Sequence, residues 1–211
     1  YGPNHSAVAT CFYNLASLYK DMGSYAKARS AYESALKINE DVLEENHPSI
    51  ALYLNDLGVL LGRIGEYSDA EAILLRALSI REKSTNPDRL AISRTLRSLG
   101  GIYTKQAKYR LALPMIKRAL KNEEELLGMG NPNMAVTLNS LANLYKLLGD
   151  YQKSRSLYER SLSVHEAALG KEHIGVANTL TGFSLLLNAD GEYLEAQPML
   201  RRALSIYEKS L

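Results

Sequence analysis

Residues 14–36 read NLASLYKDMGSYAKARSAYESAL, and this stretch decides the fold. Leu15, Leu18 and Tyr19 continue a face begun by Val8 and Phe12 at three- and four-residue steps, which is one side of a helix. Beyond Gly23, the residues Ala28, Ala31, Tyr32, Ala35, Leu36 and Ile38 draw a second such face. Glycine tolerates the positive φ at which helices commonly stop, so Gly23 predicts a tight turn between two antiparallel helices. Working outward, the pattern returns. Tyr25, Tyr67, Tyr109, Tyr151 and Tyr193 stand 42 residues apart, and so do Leu15, Leu57, Leu99, Leu141 and Phe183. Ala35, Ala77, Ala119, Ser161 and Ala203 keep the same step, each followed by leucine, and Glu40, Glu82, Glu124, Glu166 and Glu208 share the register. Five units run in phase without insertion, over about 5–46, 47–88, 89–130, 131–172 and 173–211. A period of this size fits a propeller or a helical array, and the absence of strand-like alternation excludes the propeller.

The residue types inside the units narrow the class. Gly65, Gly149 and Gly191 repeat the turn glycine, with Ala107 in its place in the third unit. Ala16, Gly58, Gly100 and Ala142 follow the repeated leucine, and Ala28, Ala70, Ala112, Ser154 and Ala196 oppose them, a small-residue code that lets paired helices approach closely. On these residues the chain resembles the tetratricopeptide repeat (TPR) family. A HEAT array, which lacks the small-residue code, is a poor second. Units of 42 residues exceed the basic repeat of about 34, and the surplus lies in links such as NEDVLEENHPS (39–49) and NEEELLGMGNPN (122–133). Phrases such as RALSIREK (76–83) and LGKEHIGVANTL (169–180) are similar to kinesin light chain-type arrays. The resemblance implies an all-α, right-handed superhelical solenoid of five helix-turn-helix units, an α-α superhelix, in one domain over 1–211. YGPNHSAVA at the start and SIYEKSL at the finish read as a fragment of a longer protein, and the ends of this fragment are expected to self-associate.

Composition excludes several functions. Lys+Arg 25 against Asp+Glu 23 gives a net charge of +2, too near balance for a general attraction to nucleic acid or anionic membrane. The inner surface also lacks the interleaved aromatics that stack single-stranded bases. No stretch approaches the roughly 20 apolar residues needed to span a bilayer, so no membrane partner is expected. Cys11 is the one cysteine, which forbids an intrachain disulfide and fits a reducing, cytoplasmic location. Its apolar surroundings, AVATCFYNLASLY, predict a small buried thiol.

Nothing in the sequence argues for catalysis, a cofactor or a metal. His5, His47 and His173 recur at equivalent link positions, which in stacked hairpins lie about 10 Å apart and so cannot converge on one ion. They predict loop or helix-cap roles. The glycines of LGMGNP have no preceding strand and no following Gly-Lys-Ser/Thr, so no phosphate loop is present. Pro114 and Pro198, early in the second helices, predict a late helix start or a mild bend.

The resemblance implies that the first helix of each unit lines an inner groove. In the first unit that face carries Tyr13, Asn14 and Lys20; in the second, Asn55, Val59 and Arg63; in the third, Arg94, Arg97 and Lys105; in the fourth, Asn139, Asn143 and Lys146. Lys20, Arg63, Arg94, Arg97, Lys105 and Lys146 outweigh Asp21 and Asp56. Asn55 and Asn139 match the asparagines that hold peptide backbones in related domains; Tyr13, Arg97 and Thr181 stand there in the other units. The expected function is therefore a non-enzymatic adaptor whose groove takes an acidic, extended protein segment. A structural spacer and the ligand-sensing arm of a larger signalling protein are the alternatives.

Overall fold

The two apolar faces of each unit become two helices because only pairing buries them. The computed structural model describes residues 5–210. Its helices are α1 Ser6–Asp21, α2 Tyr25–Val42, α3 Pro48–Ile64, α4 Tyr67–Lys83, α5 Arg89–Lys105, α6 Tyr109–Leu127, α7 Pro132–Leu147, α8 Tyr151–Leu169, α9 Ile174–Ala189 and α10 Tyr193–Ser210. Among the described residues there is no strand. Contacts group them into two compact units, one ending at Lys108 and the other beginning at Tyr109. In the first, the hairpins α1–α2 and α3–α4 pack in sequence and α5 packs on α4; in the second, α6 packs on α7, followed by the hairpins α7–α8 and α9–α10.

Helix starts follow a common chemistry. The Nδ1 atoms of His5, His47 and His173 accept from the backbone N–H groups of Ala7, Ser49 and Gly175 at 3.1, 3.2 and 3.0 Å. The expected cap role therefore holds for all three. Asn131 caps α7 through Asn133 N–H at 2.9 Å, and Asp88 caps α5 through Leu90 and Ala91 N–H. Each satisfies an amide that the helix itself leaves without a partner.

The turns inside the repeats end the first helices in the left-handed region. Gly23, Gly149 and Gly191 have φ of 72°, 78° and 84°. Ala107 occupies the same turn with φ 57°, the sole positive-φ residue other than glycine among those described. Its N–H donates to Thr104 O at 3.1 Å and that of Lys108 to Tyr103 O at 2.8 Å, the paired bonds of a Schellman motif. The prolines behave differently from one half of their expectation. Helices α6 and α10 start at Tyr109 and Tyr193, in register with the other second helices, and run on through Pro114 and Pro198. No start is delayed. Each proline removes one amide donor from its helix.

Packing explains the small residues. A Cβ on Gly58 would lie 2.6 Å from Leu74 Cγ, so α3 and α4 touch there at a distance only glycine permits. Ser154 substitutes for alanine because its hydroxyl donates to Ala142 O at 2.8 Å. Apolar clusters such as Ile50, Ala51, Leu54, Ala77 and Ile80, or Ala142, Tyr158, Phe183 and Leu187, fill the space between neighbouring helices. The repeated glutamate now has a reason as well. Glu40, Glu124 and Glu166 pair with Arg76, Arg160 and Arg202 of the next second helix at 2.5, 2.7 and 2.6 Å. Such surface pairs contribute about 0.2–1 kcal/mol each and chiefly fix register.

Cys11 departs from its expectation: the thiol is exposed. Tyr53, Thr95, Thr137 and Thr179 occupy the equivalent position of later units and are buried. Among the described residues no helix covers that side of α1, and Leu15 and Leu18 are exposed with it.

Candidate functional site

The expected groove residues do not share one environment. In the first unit, Asn14, Val59, Arg63, Arg94 and Lys105 are exposed, whereas Tyr13, Lys20 and Arg97 are half-buried and Asn55 is 7% exposed. In the second unit Asn139, Asn143 and Lys146 are half-buried, and burial lowers the ammonium pKa of Lys146.

Four helices of the first unit bring several of these groups into one hydrogen-bonded chain. The Tyr13 hydroxyl, on α1, donates to Asp56 Oδ2 at 2.5 Å. Asp56 Oδ1 accepts from Asn55 Nδ2 at 3.0 Å, and Asn55 Oδ1 accepts from Thr95 Oγ1, on α5, at 3.1 Å. Thr95 Oγ1 in turn accepts from Arg81 Nη1, on α4, which also donates to Ala91 O. Tyr13 is clamped from its sides, stacked on Tyr53 at 4.7 Å and edge-on to Tyr32 at 5.6 Å. Burial and the Asp56 carboxylate raise the Tyr13 pKa, and burial first, then the charge of Asp56, pushes Tyr32 up to about 12. Asn55 thus spends both ends of its amide inside the protein.

Arg81 is the residue that the periodicity did not single out. It is 8% exposed, and desolvation followed by the charge of Arg94 lowers its pKa. Guanidinium carries five N–H donors in a fixed fork. The bonds of Arg81 run from Nη1 alone, and no carboxylate comes within ion-pair distance of it among the described residues. It lines a cavity of about 190 Å³ together with Leu52, Ile80, Asp88 and Arg94. Asp88 Oδ1 caps α5 while its charge acts on Arg81, so two cations, one carboxylate and the apolar Leu52 and Ile80 line the cavity.

The second unit holds a related arrangement two periods later. His165 replaces Arg81, and its Nδ1 lies 3.0 Å from Thr179 Oγ1, to which Asn139 Nδ2 donates at 2.8 Å. Asn139 Oδ1 is buried without a hydrogen-bond partner among the described residues. Burial, then nearby His173, lowers the His165 pKa, against a backbone contact from Pro132 that raises it. Asn178 stands where the first unit has Arg94, so this counterpart is uncharged on that wall. One signal was available in the sequence: Asn39, Arg81, Glu123, His165 and Tyr207 fall at one repeat position, a polar residue inside an otherwise apolar face. The first four are buried.

Among the described residues no cluster of His, Cys, Asp or Glu could hold a metal ion, and no helix is long and apolar enough to cross a membrane.

Comparison with known proteins places this geometry. Among curated proteins no sequence match is found. The structure is similar to a kinesin light chain-type protein of Podosopora anserina described as carrying nearly identical TPR-like repeats, at 20% identity and TM-score 0.77, covering 98% of each chain. It is similar to BtubC (BKLC) from P. vanneervenii at 22% identity and TM-score 0.78, covering 97% of this chain and 82% of that one. The apo form of RapI matches at 17% identity and TM-score 0.76, over 96% and 71%. At these identities the likeness concerns the fold. The sequence profile of the tetratricopeptide repeat matches residues 8–83, 49–125 and 133–209, nearly the whole chain, and the protein belongs to the tetratricopeptide repeat family.

Proposed function

We propose that this chain is a non-enzymatic adaptor that binds an acidic, largely extended segment of a protein partner along the first helices of its repeats. TPR arrays are in general protein-interaction scaffolds, and the acidic ligand is the finer reading. One observation carries it: Arg81 is a buried cation that donates to neutral oxygens, has no carboxylate within ion-pair distance among the described residues, and faces a cavity beside Arg94 and Asp88. A buried charge without a partner is costly, and a two-pronged carboxylate relieves that cost best. Leu52 and Ile80 would take the aliphatic stem of a glutamate or aspartate neighbour. Arg94 and Arg97, three residues apart on α5, would hold further carboxylates. Asn55, engaged internally, supports the Thr95–Arg81 arm and does not grip a ligand itself. In the second unit Asn139 and Asn143 would hold the ligand backbone, and Lys146 a carboxylate. A cytoplasmic setting, in which exposed Cys11 stays reduced, completes the reading.

A proteome-derived peptide display selection tests it. Acidic peptides are expected to enrich on the natural chain and to be lost on Arg94→Glu, on Arg94→Glu/Arg97→Glu and on Arg81→Met. Enrichment that is indifferent to all three substitutions overturns the acidic-segment reading.

A further inference from the structure

We propose that the cavity between α3, α4 and α5 binds a free acidic α-amino acid of glutamate's size. The inference rests on the reading of Arg81 as a receiver of carboxylate and goes beyond it, from a segment of a partner to a small molecule carrying three charges. Arg81, Asp88 and Arg94 line one cavity of about 190 Å³ with Leu52, Ile80 and Ala91. That volume lies below the roughly 300–1,000 Å³ of sites for drug-sized ligands and suits a molecule of one amino acid. The three charges face the same space without neutralising one another. Among the described residues Arg81 and Arg94 have no carboxylate within ion-pair distance. Asp88 Oδ1 accepts both cap bonds, from Leu90 and Ala91 N–H at 2.9 Å, and its second oxygen accepts none among the described residues. A cation and a carboxylate held apart in one cavity match a ligand that carries carboxylate and ammonium on a single carbon. Its carboxylate goes to buried Arg81, where a guanidinium binds it in two-pronged fashion, and its ammonium goes to Asp88. One positive charge is left on the site, at exposed Arg94, and a side-chain carboxylate cancels it. Leu52 and Ile80 cover the methylenes between the two ends.

The other repeats show that the fold does not require this triad. At the same three positions they carry Asn39, Asn46 and Leu52, then Glu123, Gly130 and Val136, then His165, Glu172 and Asn178. None of these sets has a cation on each side of a carboxylate. Glu172, the one other carboxylate at the Asp88 position, pairs with Lys209 at 2.6 Å. Because Arg81 serves both ligands, the amino acid and an acidic segment exclude each other.

Isothermal titration calorimetry tests the proposal on the natural chain, Asp88→Asn and Arg94→Gln, with L-glutamate, glutarate and L-norvaline as probes. Glutarate lacks the ammonium and norvaline the second carboxylate. Asparagine caps a helix as well as aspartate does, and Arg94 is exposed, so both variants keep the fold, as circular dichroism verifies. The natural chain is expected to bind glutamate about tenfold or more tightly than either analogue. Asp88→Asn is expected to abolish the preference over glutarate, and Arg94→Gln the preference over norvaline. No heat of binding with glutamate overturns the proposal, and so does glutarate bound as tightly as glutamate by the natural chain, or a preference that survives Asp88→Asn. No peptide is present, so the two readings separate. Acidic peptides enriched on a chain that ignores glutamate overturn this proposal alone; glutamate bound by a chain that enriches no acidic peptide supports it and overturns the segment reading.

Discussion

Replacing Ala107 with glycine should stabilise the protein, although it deletes a methyl group. Ala107 has φ 57° in a turn where Gly23, Gly149 and Gly191 sit at 72° to 84°. An L-residue there costs about 1–2 kcal/mol through the clash of Cβ with the following carbonyl. Glycine removes that clash but costs about 0.4–1 kcal/mol by enlarging the conformational freedom of the unfolded chain. Ala107 is exposed, so its methyl contributes little burial to be lost. The balance is a gain of about 0.5 kcal/mol. The reverse change, Gly149→Ala, introduces the clash where a new Cβ meets nothing within 4 Å, so strain alone decides its sign, and a loss of similar size is expected. Urea denaturation followed by far-ultraviolet circular dichroism reads both: the midpoint should rise for Ala107→Gly and fall for Gly149→Ala, with unchanged slope. A lowered midpoint for Ala107→Gly would show that the Schellman turn at Tyr103–Lys108 is not strained, and the reasoning would fail.

Other substitutions test the packing and the titrating groups. Gly58→Ala forces a Cβ to 2.6 Å from Leu74 Cγ, and Leu74 is fully buried with nowhere to move; a loss of about 1–3 kcal/mol in urea stability is expected. His47→Ala removes the acceptor for Ser49 N–H and should cost about 1 kcal/mol, while His47→Asn should retain most of it. His165 has a folded-state pKa below its ordinary value because it is buried. The unfolded chain then binds the proton more readily, so stability is full above about pH 6.5 and falls as pH drops toward the lowered value. Urea midpoints measured across that range should show the decline, and His165→Asn should flatten it.

Much of the fold was legible because one physical constraint repeats. The 42-residue step of Tyr25 and its counterparts, the small residues at Ala16 and Gly58, and the turn glycines each report a local requirement: gap filling, close approach, or positive φ. The cap role of His47 followed from its place before a helix start. What sequence reading missed depended on which neighbour a side chain meets. Asn55 was legible as a groove position, yet its amide turns to Thr95 and Asp56, because α5 brings a hydroxyl within reach. Arg81 lay in the phrase RALSIREK as one more charge on a second helix; only the packing of α4 against α5 buries it. Cys11 was misjudged for the complementary reason. Its local sequence is apolar, but burial at that position is supplied by a hairpin that no residue in its own segment encodes.

The polar column has a consequence for how such a chain changes length over evolutionary time. Asn39, Arg81, Glu123, His165 and Tyr207 sit at one position of a pattern that is otherwise nearly interchangeable. Duplicating or deleting one repeat by recombination would preserve the leucine, alanine and tyrosine contacts, so the product would still fold. It would, however, set a guanidinium, a carboxylate, an imidazole or an amide against neighbours chosen for a different group. The apolar code makes the repeats fungible, and the column gives each an identity, which marks copies gained or lost long after the event.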